Sequence, residues 1–148
     1  MSDENKTYSF EEEGHLEFHR IGMKSIPFGS ATILGRGKDL DYLVYDDSLA
    51  RALLWFLSEG FTFTGTSVDY TERKTCPTFT TFRKGPYNIV LMHTYEDYAN
   101  YCKANKLCVD LNIVDKEKRI EVFQAVGDVE MHREIYLIPS EQRHKQGE

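Results

Sequence analysis

Two aspartates, Asp39 and Asp41, are the residues of this chain whose spacing most directly suggests chemistry. They stand one residue apart at the start of the apolar run "LDYLVYD". If that run forms a strand, residues i and i+2 project to the same side, so the two carboxylates lie close together. Like charges at that separation repel unless a cation lies between them, and Mg²⁺ or Mn²⁺ prefers carboxylate oxygen. The spacing predicts a divalent-metal site; the alternative is a solvated strand end.

A glycine-rich turn precedes the acid pair, in "PFGSATILGRGKD". Gly29 permits close backbone approach and Ser30 adds a hydroxyl, so exposed backbone N–H groups and that hydroxyl could bind a phosphate. Arg36 and Lys38, in the following loop, could meet further phosphate charge. Together with Asp39 and Asp41 these residues predict a site for a metal and a triphosphate, although Gly29-Ser30 alone is equally typical of an ordinary turn.

The elements that must position these residues follow from pattern and capping signals. Leu40 and Leu43-Val44 indicate a strand anchored in a core, and Asp46, Asp47 and Ser48 offer N-caps for the next helix. Lys84-Gly85-Pro86 predicts a hairpin turn. In order, the predicted elements are a helix in "SFEEEGHLEFHRIGMKSI" ended by Pro27, strands in "FGSATIL" and "LDYLVYD", a helix in "LARALLWFLSEG", a strand in "FTFTGTSV", the hairpin "TFTTFRKGPYNIVLMH", and helices in "YEDYANYCKANKLCVDL" and "DKEKRIEVFQAVG", the last ended by Gly127. This order predicts an α+β fold, a small α/β sandwich with a mixed sheet backed by helices.

Composition bounds the class of protein. The 148 residues, 41% hydrophobic and 13% aromatic, suit one globular domain. We expect an N-terminal arm over 1–9, a domain over 10–138 and a frayed tail over 139–148. A net charge of −6 argues against a nonspecific nucleic-acid binder. Three cysteines without CxxC spacing, and no apolar run long enough for a membrane or a signal peptide, predict a cytoplasmic protein with no membrane partner.

The stretch "GSATILGRGKDLDYLV" resembles the signature of the nucleotidyltransferase superfamily, the fold shared by DNA polymerase beta, the aminoglycoside nucleotidyltransferases and the minimal nucleotidyltransferases. That signature is Gly-Ser, a spacer of about this length, and Asp-x-Asp before aliphatic residues. The stretch "YNIVLMHTYEDYANYCKANKLCVDLNIVDKEKRIEVFQAV", residues 87–126, also resembles small bacteriophage proteins of nucleotidyltransferase type, which would place the protein in the host cytoplasm. The resemblance implies that Gly29 and Ser30 hold the triphosphate and that Asp39 and Asp41 bind Mg²⁺ or Mn²⁺. The implied activity is transfer of an NMP from an NTP to an acceptor hydroxyl, with release of pyrophosphate.

The chain departs from the family pattern at one position. The family usually carries a third catalytic carboxylate on a neighbouring strand, and the matching residue in "YNIVLM" is Asn88, an amide. Asp69, or less favourably Glu72, could substitute, and His93 could lie near the site as a ligand or proton carrier. Otherwise the protein is a catalytically weak or inactive module that binds a nucleotide or a partner. The acceptor could be a protein, a small molecule or a nucleic-acid end, and a homodimer could supply its binding surface.

Two further groups are weaker candidates. His15 and His19 have the i, i+4 spacing that would place both on one helical face, where they could share a metal with a third ligand. The chain also has a basic cluster with tyrosine and phenylalanine between its members, which could contact a nucleotide or nucleic-acid acceptor or could be a solvated hairpin face. This cluster consists of Arg73, Lys74, Arg83 and Lys84.

Overall fold

A computed structural model describes residues 6–67 and 77–136, and their side chains up to residue 127. One five-stranded sheet has the order β1-β2-β5-β4-β3. The elements are α1 (Phe10–Glu13), β1 (Lys24–Phe28), α2 (Ser30–Leu34), β2 (Leu40–Tyr45), α3 (Leu49–Ser58), β3 (Thr62–Ser67), β4 (Phe79–Lys84), β5 (Tyr87–Met92), α4 (Tyr95–Asp110) and α5 (Lys116–Tyr136). The class is therefore α+β with a mixed sheet, as the sequence predicts.

Strand β2 is the strand from which the site is built. It pairs antiparallel with β1 and parallel with β5, and β5 continues antiparallel to β4. The register places Asp41 opposite Asn88 and Asn88 opposite Arg83. Side chains directly opposite one another point to the same face of a sheet. These three polar side chains therefore form a row on one face.

Helices cover both faces of the sheet. On one face, alternate residues of the central strands pack with α3 around Phe56, which is fully buried. On the other face, Leu43, Val90 and Met92 pack against Tyr98 of α4, and α5 packs against α4. Asp41 is two residues before Leu43 and so faces α4, which places the acid pair under the layer formed by α4 and α5.

The N-terminal third of the chain differs from the sequence prediction. The predicted first helix is only the four residues of α1, which ends at Gly14, and the chain later enters β1 rather than staying helical to Pro27. Pro27 lies inside β1, which it can do because β1 is an edge strand. The predicted strand "FGSATIL" is wrong from Ser30 onward, where α2 forms.

The physical reason for α2 lies in its flanking glycines. Gly29 has φ +86 and Gly35 has φ +84, so both adopt left-handed backbone conformations that favour glycine. These residues turn the chain into and out of one short helix. The β-branched Thr32 and Ile33 had favoured a strand, but their local propensity is overridden by the two turns.

Other predictions hold along most of their length. Strand β2, helix α3 with its Ser48 cap, strand β3, the β4–β5 hairpin and α4 form where predicted. Helix α5 begins after Asp115 but continues past Gly127, so the predicted stop there is wrong. Tyr8 forms a bridge to Gly37, so residues 6–9 contact the domain. No helix in the described part of the chain has the length and apolar character needed to span a bilayer.

Candidate functional site

Asp39 and Asp41 lie together where β2 begins. Asp39 is partly exposed and forms an ion pair with Arg83, whose Nη2 is 2.5 Å from Asp39 Oδ1. Arg83 comes from β4, two strands away across β5. The outer acid of the pair is therefore already balanced by a cation that the sequence analysis had assigned to a possible nucleic-acid surface.

Asp41 is the inner acid, and it has a different environment. Asn88 donates from Nδ2 to Asp41 Oδ1 at 3.0 Å. Burial raises the pKa of Asp41 to about 6; the Asn88 hydrogen bond and the charge of Arg83 lower it, whereas the charge of Asp39 raises it further. Burial is the largest of these causes. The site therefore contains a partly buried carboxylate that accepts a hydrogen bond from a neutral amide.

The Gly29-Ser30 turn lies directly against this carboxylate. A Cβ atom added to Gly29 would lie 2.5 Å from Asp41 Oδ2, so the Asp41 side chain would have to move, and Gly29 has φ +86. The positive φ favours glycine at this position, and the absence of a Cβ lets the turn approach the carboxylate. The contact brings together the two halves of the sequence motif.

Two residues that the sequence analysis missed hold the turn from the helical layer. Asn105 of α4, which is buried, accepts a hydrogen bond from the Gly29 N–H at 3.0 Å. Arg119 of α5, also buried, donates from Nη2 to Ser30 Oγ at 2.8 Å. Asn105 and Arg119 are 76 and 89 residues from their partners, so no local spacing connects them to the turn. The Gly29 N–H, which we had expected a phosphate to use, is already bonded to protein.

The two basic residues predicted to bind phosphate lie on the loop after α2. Arg36 forms a pair of hydrogen bonds with Glu12, at 2.5 and 3.2 Å, and also donates to Thr7. Its guanidinium is therefore engaged with the N-terminal segment rather than with the acid pair. Lys38 is exposed.

The oxygen atoms around Asp41 are compatible with a divalent cation. Asp39 and Asp41 supply carboxylate oxygens, and a rotated Asn88 amide would supply a carbonyl oxygen, which together make a hard-oxygen donor set. Among the described residues, no cation is in direct contact with the partly buried carboxylate of Asp41, and a bound divalent cation would supply one. Within residues 6–67 and 77–136, however, no three residues of the types His, Cys, Asp and Glu are grouped to hold a metal ion.

The remaining sequence candidates do not join this cluster. His93 directly follows β5, five residues and about 16 Å beyond Asn88, and its Nε2 is 2.8 Å from Thr80 Oγ1. His15 and His19 are not on a helix; His15 contacts Tyr42 and His19 contacts Glu17. Asp69 and Glu72, together with the basic residues Arg73 and Lys74, lie outside the described residues.

Comparison with known proteins found no relative of this chain. No protein-family model, curated protein or solved structure matches this chain. The function must therefore be argued from the geometry alone.

Proposed function

We propose that the protein is a metal-dependent nucleotidyltransferase that transfers an NMP from an NTP to an acceptor hydroxyl. The observation that carries this proposal is the contact between the Gly29 turn and the Asp41 carboxylate, with 2.5 Å from a Gly29 Cβ to Oδ2. This contact sets the Ser30 hydroxyl, which could hold a phosphate, next to a pair of acids whose oxygens suit Mg²⁺ or Mn²⁺. The parallel β2–β5 pair brings Asn88 beside Asp41, and the helix that begins at Ser30 starts directly after the turn.

In this proposal each residue has a limited role. Asp39 and Asp41 would hold the divalent cation, and Ser30 would hold the polyphosphate through its hydroxyl. When bound, the cation would supply charge neutralisation and would lower the pKa of an acceptor hydroxyl. Asn105 fixes the turn that presents Ser30, since it accepts from the Gly29 N–H.

A specific observation supports a second candidate, a nucleotide-binding protein with weak or no transferase activity. Asn88 stands beside Asp41 on the parallel strand and donates to it, so this position supplies an amide rather than a third carboxylate. A site with two acids would bind a metal–nucleotide complex but activate an acceptor poorly.

Nucleotide binding and transfer can be tested separately. ATP with Mn²⁺ should raise the melting temperature of the protein, and Asp39→Asn with Asp41→Asn should abolish that rise. Asp110→Asn is the matched control, because Asp110 is an exposed acid that pairs with Lys106 on α4. No rise with any NTP would rule out both candidates. Transfer of label from an α-labelled NTP to an acceptor in a cell lysate distinguishes the transferase from the binder.

Substitution of Asn88 by aspartate tests the missing carboxylate. The new carboxylate would lie about 3 Å from Asp41, so the two charges should lower stability by about 1 to 3 kcal/mol at pH 8 without metal. Mn²⁺ should restore the lost stability, and pyrophosphate release from NTP should increase. If Asn88→Asp leaves both metal dependence and pyrophosphate release unchanged, Asn88 has no place in the site.

A further inference from the structure

Arg119 is a buried cation whose hydrogen bonds, among the described residues, go only to neutral oxygens. It is 9% exposed. Nη1 donates to the carbonyl of Val114 at 2.5 Å and approaches that of Ile113 at 3.5 Å, and Nη2 donates to Ser30 Oγ at 2.8 Å. A guanidinium has five N–H donors, and these contacts involve only Nη1 and Nη2. Within the described residues, Arg119 has no carboxylate partner.

Other arginines of the described chain show the contrast. Arg20, Arg36 and Arg83 each form an ion pair with a carboxylate. All three are more exposed than Arg119, with side-chain exposures of 21%, 46% and 41%. A buried charge is costly unless an opposite charge or several hydrogen bonds compensate it. The most buried of these four guanidinium groups is thus the one that contacts only neutral oxygens.

The position of Arg119 indicates which kind of anion could balance its charge. Its guanidinium contacts Ser30, while the preceding residue, Gly29, borders the carboxylate of Asp41. The turn therefore has a pair of partly exposed acids on one side and a buried cation on the other. A polyphosphate that carries a divalent cation would complement both sides, since the cation meets the acids and a free anionic oxygen meets the guanidinium.

We propose that Arg119 binds a phosphate oxygen of the substrate beside Ser30, and that it gives the site a preference for polyphosphates over monophosphates. The inference rests on the proposed function for the identity of the nucleotide, but not for the anion itself. It differs from a purely structural role, in which Arg119 only connects α5 to the turn and would leave phosphate affinity unchanged when its fold is preserved.

Calorimetric titration of the full chain, with Mg²⁺, against ATP, AMP and inorganic tripolyphosphate tests the proposal. The wild type should bind ATP and tripolyphosphate, with AMP at least tenfold weaker. Arg119→Gln should weaken ATP and tripolyphosphate at least tenfold and AMP less than threefold, so that the preference is lost. Arg119→Lys, which keeps the charge but loses the planar geometry, should give an intermediate loss. Arg51→Gln removes an exposed arginine of α3 and should change no affinity by more than twofold.

The possible results separate this inference from the proposed function. If Arg119→Gln binds ATP as the wild type does, Arg119 is structural and the inference is wrong, while the proposed function stands. If the wild type binds tripolyphosphate through Arg119 but no NTP, the anion site stands and the nucleotide function is wrong. If it binds neither, both are wrong.

If Arg119→Gln does not fold, an NMR titration of the wild type can test the proposal instead. The arginine Nε–H signal that is present in the wild-type ¹H–¹⁵N spectrum and absent in Arg119→Lys identifies Arg119. Tripolyphosphate should shift this signal in the wild type. An unshifted signal at a saturating concentration would overturn the inference.

Discussion

An aspartate lies at each end of β2, and the surroundings of the two differ: Asp46 is buried, whereas Asp41 is partly buried. Asp46, after the end of the strand, has a side chain that is 1% exposed and forms an ion pair with Arg20. Asp41, at the start of the strand, has a hydrogen bond from the neutral Asn88, and burial raises its pKa. Asp46 Oδ2 has a cationic partner within the protein, although Asp46 Oδ1 is buried with no hydrogen-bond partner among the described residues. Asp41 accepts a hydrogen bond from a neutral amide, and an external cation could balance its charge.

This difference separates a structural carboxylate from a candidate functional one. A buried, ion-paired carboxylate needs both partners to be kept, whereas a buried carboxylate with a raised pKa lowers the stability of the fold at neutral pH. A protein that retains such a group gives up stability at that position, which is typical of binding and catalytic sites. Substitutions at either end of β2 test whether the two carboxylates differ in this way.

The largest expected effect is at the Asp46 end. Arg20→Met should lower the free energy of unfolding by about 3 to 5 kcal/mol, because it leaves the buried Asp46 carboxylate without a cation. Urea denaturation at pH 7 measures the loss. Adding Asp46→Asn to Arg20→Met should restore part of the stability, since the unpaired charge is then removed. A loss below about 1 kcal/mol would mean that the pair is energetically equivalent to a surface ion pair.

At the Asp41 end of β2, removing the charge should raise the free energy of unfolding rather than lower it. The pKa of Asp41 is about 6 in the folded chain against an ordinary value of 3.8, so folding favours the protonated form. That contribution to stability is complete below pH 3.8 and is lost as the pH rises through about 6, a loss of roughly 3 kcal/mol in all. Asp41→Asn should therefore raise the free energy of unfolding at pH 8, by about 2 kcal/mol after allowance for altered hydrogen bonding.

The pH dependence provides the control for Asp41→Asn. At pH 5 the gain over the wild type should be smaller by about 1 kcal/mol, because Asp41 is then largely protonated in the folded protein. Asp110→Asn, at an exposed acid, should show no such difference between pH 5 and pH 8. If Asp41→Asn is destabilising at pH 8, the carboxylate is a structural group and the two ends of β2 are alike.

How much of this site the sequence could predict depends on how far apart in the chain the interacting residues are. Asp39 and Asp41 share a face because of strand period, and the element that carries Asn88 was recognisable as a strand of a hairpin, so this half of the site is local. The turn at Gly29-Ser30 was found as a motif, but its α2 helix was predicted as a strand, because the left-handed backbone at Gly29 and Gly35 is not visible in propensity.

The other half of the site lies outside the reach of such patterns. Asn105 and Arg119 are on helices that could be predicted, but which helical positions face the turn depends on how α4 and α5 pack on the sheet. Both residues are polar and buried, at 6% and 9% exposure. Burial of a polar residue on a helix with mixed composition is settled by tertiary packing, which a single sequence does not contain.

The smallest expected effect on stability is at Arg83, which refines the comparison. Both Arg83 and Asp39 are about two-fifths exposed, so their ion pair is largely solvated, unlike that of Arg20 and Asp46. Arg83→Met should change the free energy of unfolding by less than about 1 kcal/mol. Lys84→Met, at the next residue, is a matched control because the Lys84 amine donates to the Glu59 carbonyl and not to an acid of the site.

The same substitution should have a clear effect on metal binding. Arg83 occupies Asp39 Oδ1, the atom that a divalent cation would use, and its charge also lowers the pKa of Asp41. Two cations that need one oxygen compete, so Arg83→Met should tighten Mn²⁺ binding several-fold, measured by calorimetry, whereas Lys84→Met should leave it within twofold. Weaker binding in Arg83→Met would show instead that Arg83 orients Asp39 for the metal, and the guanidinium would then be a positioning group of the site rather than its competitor.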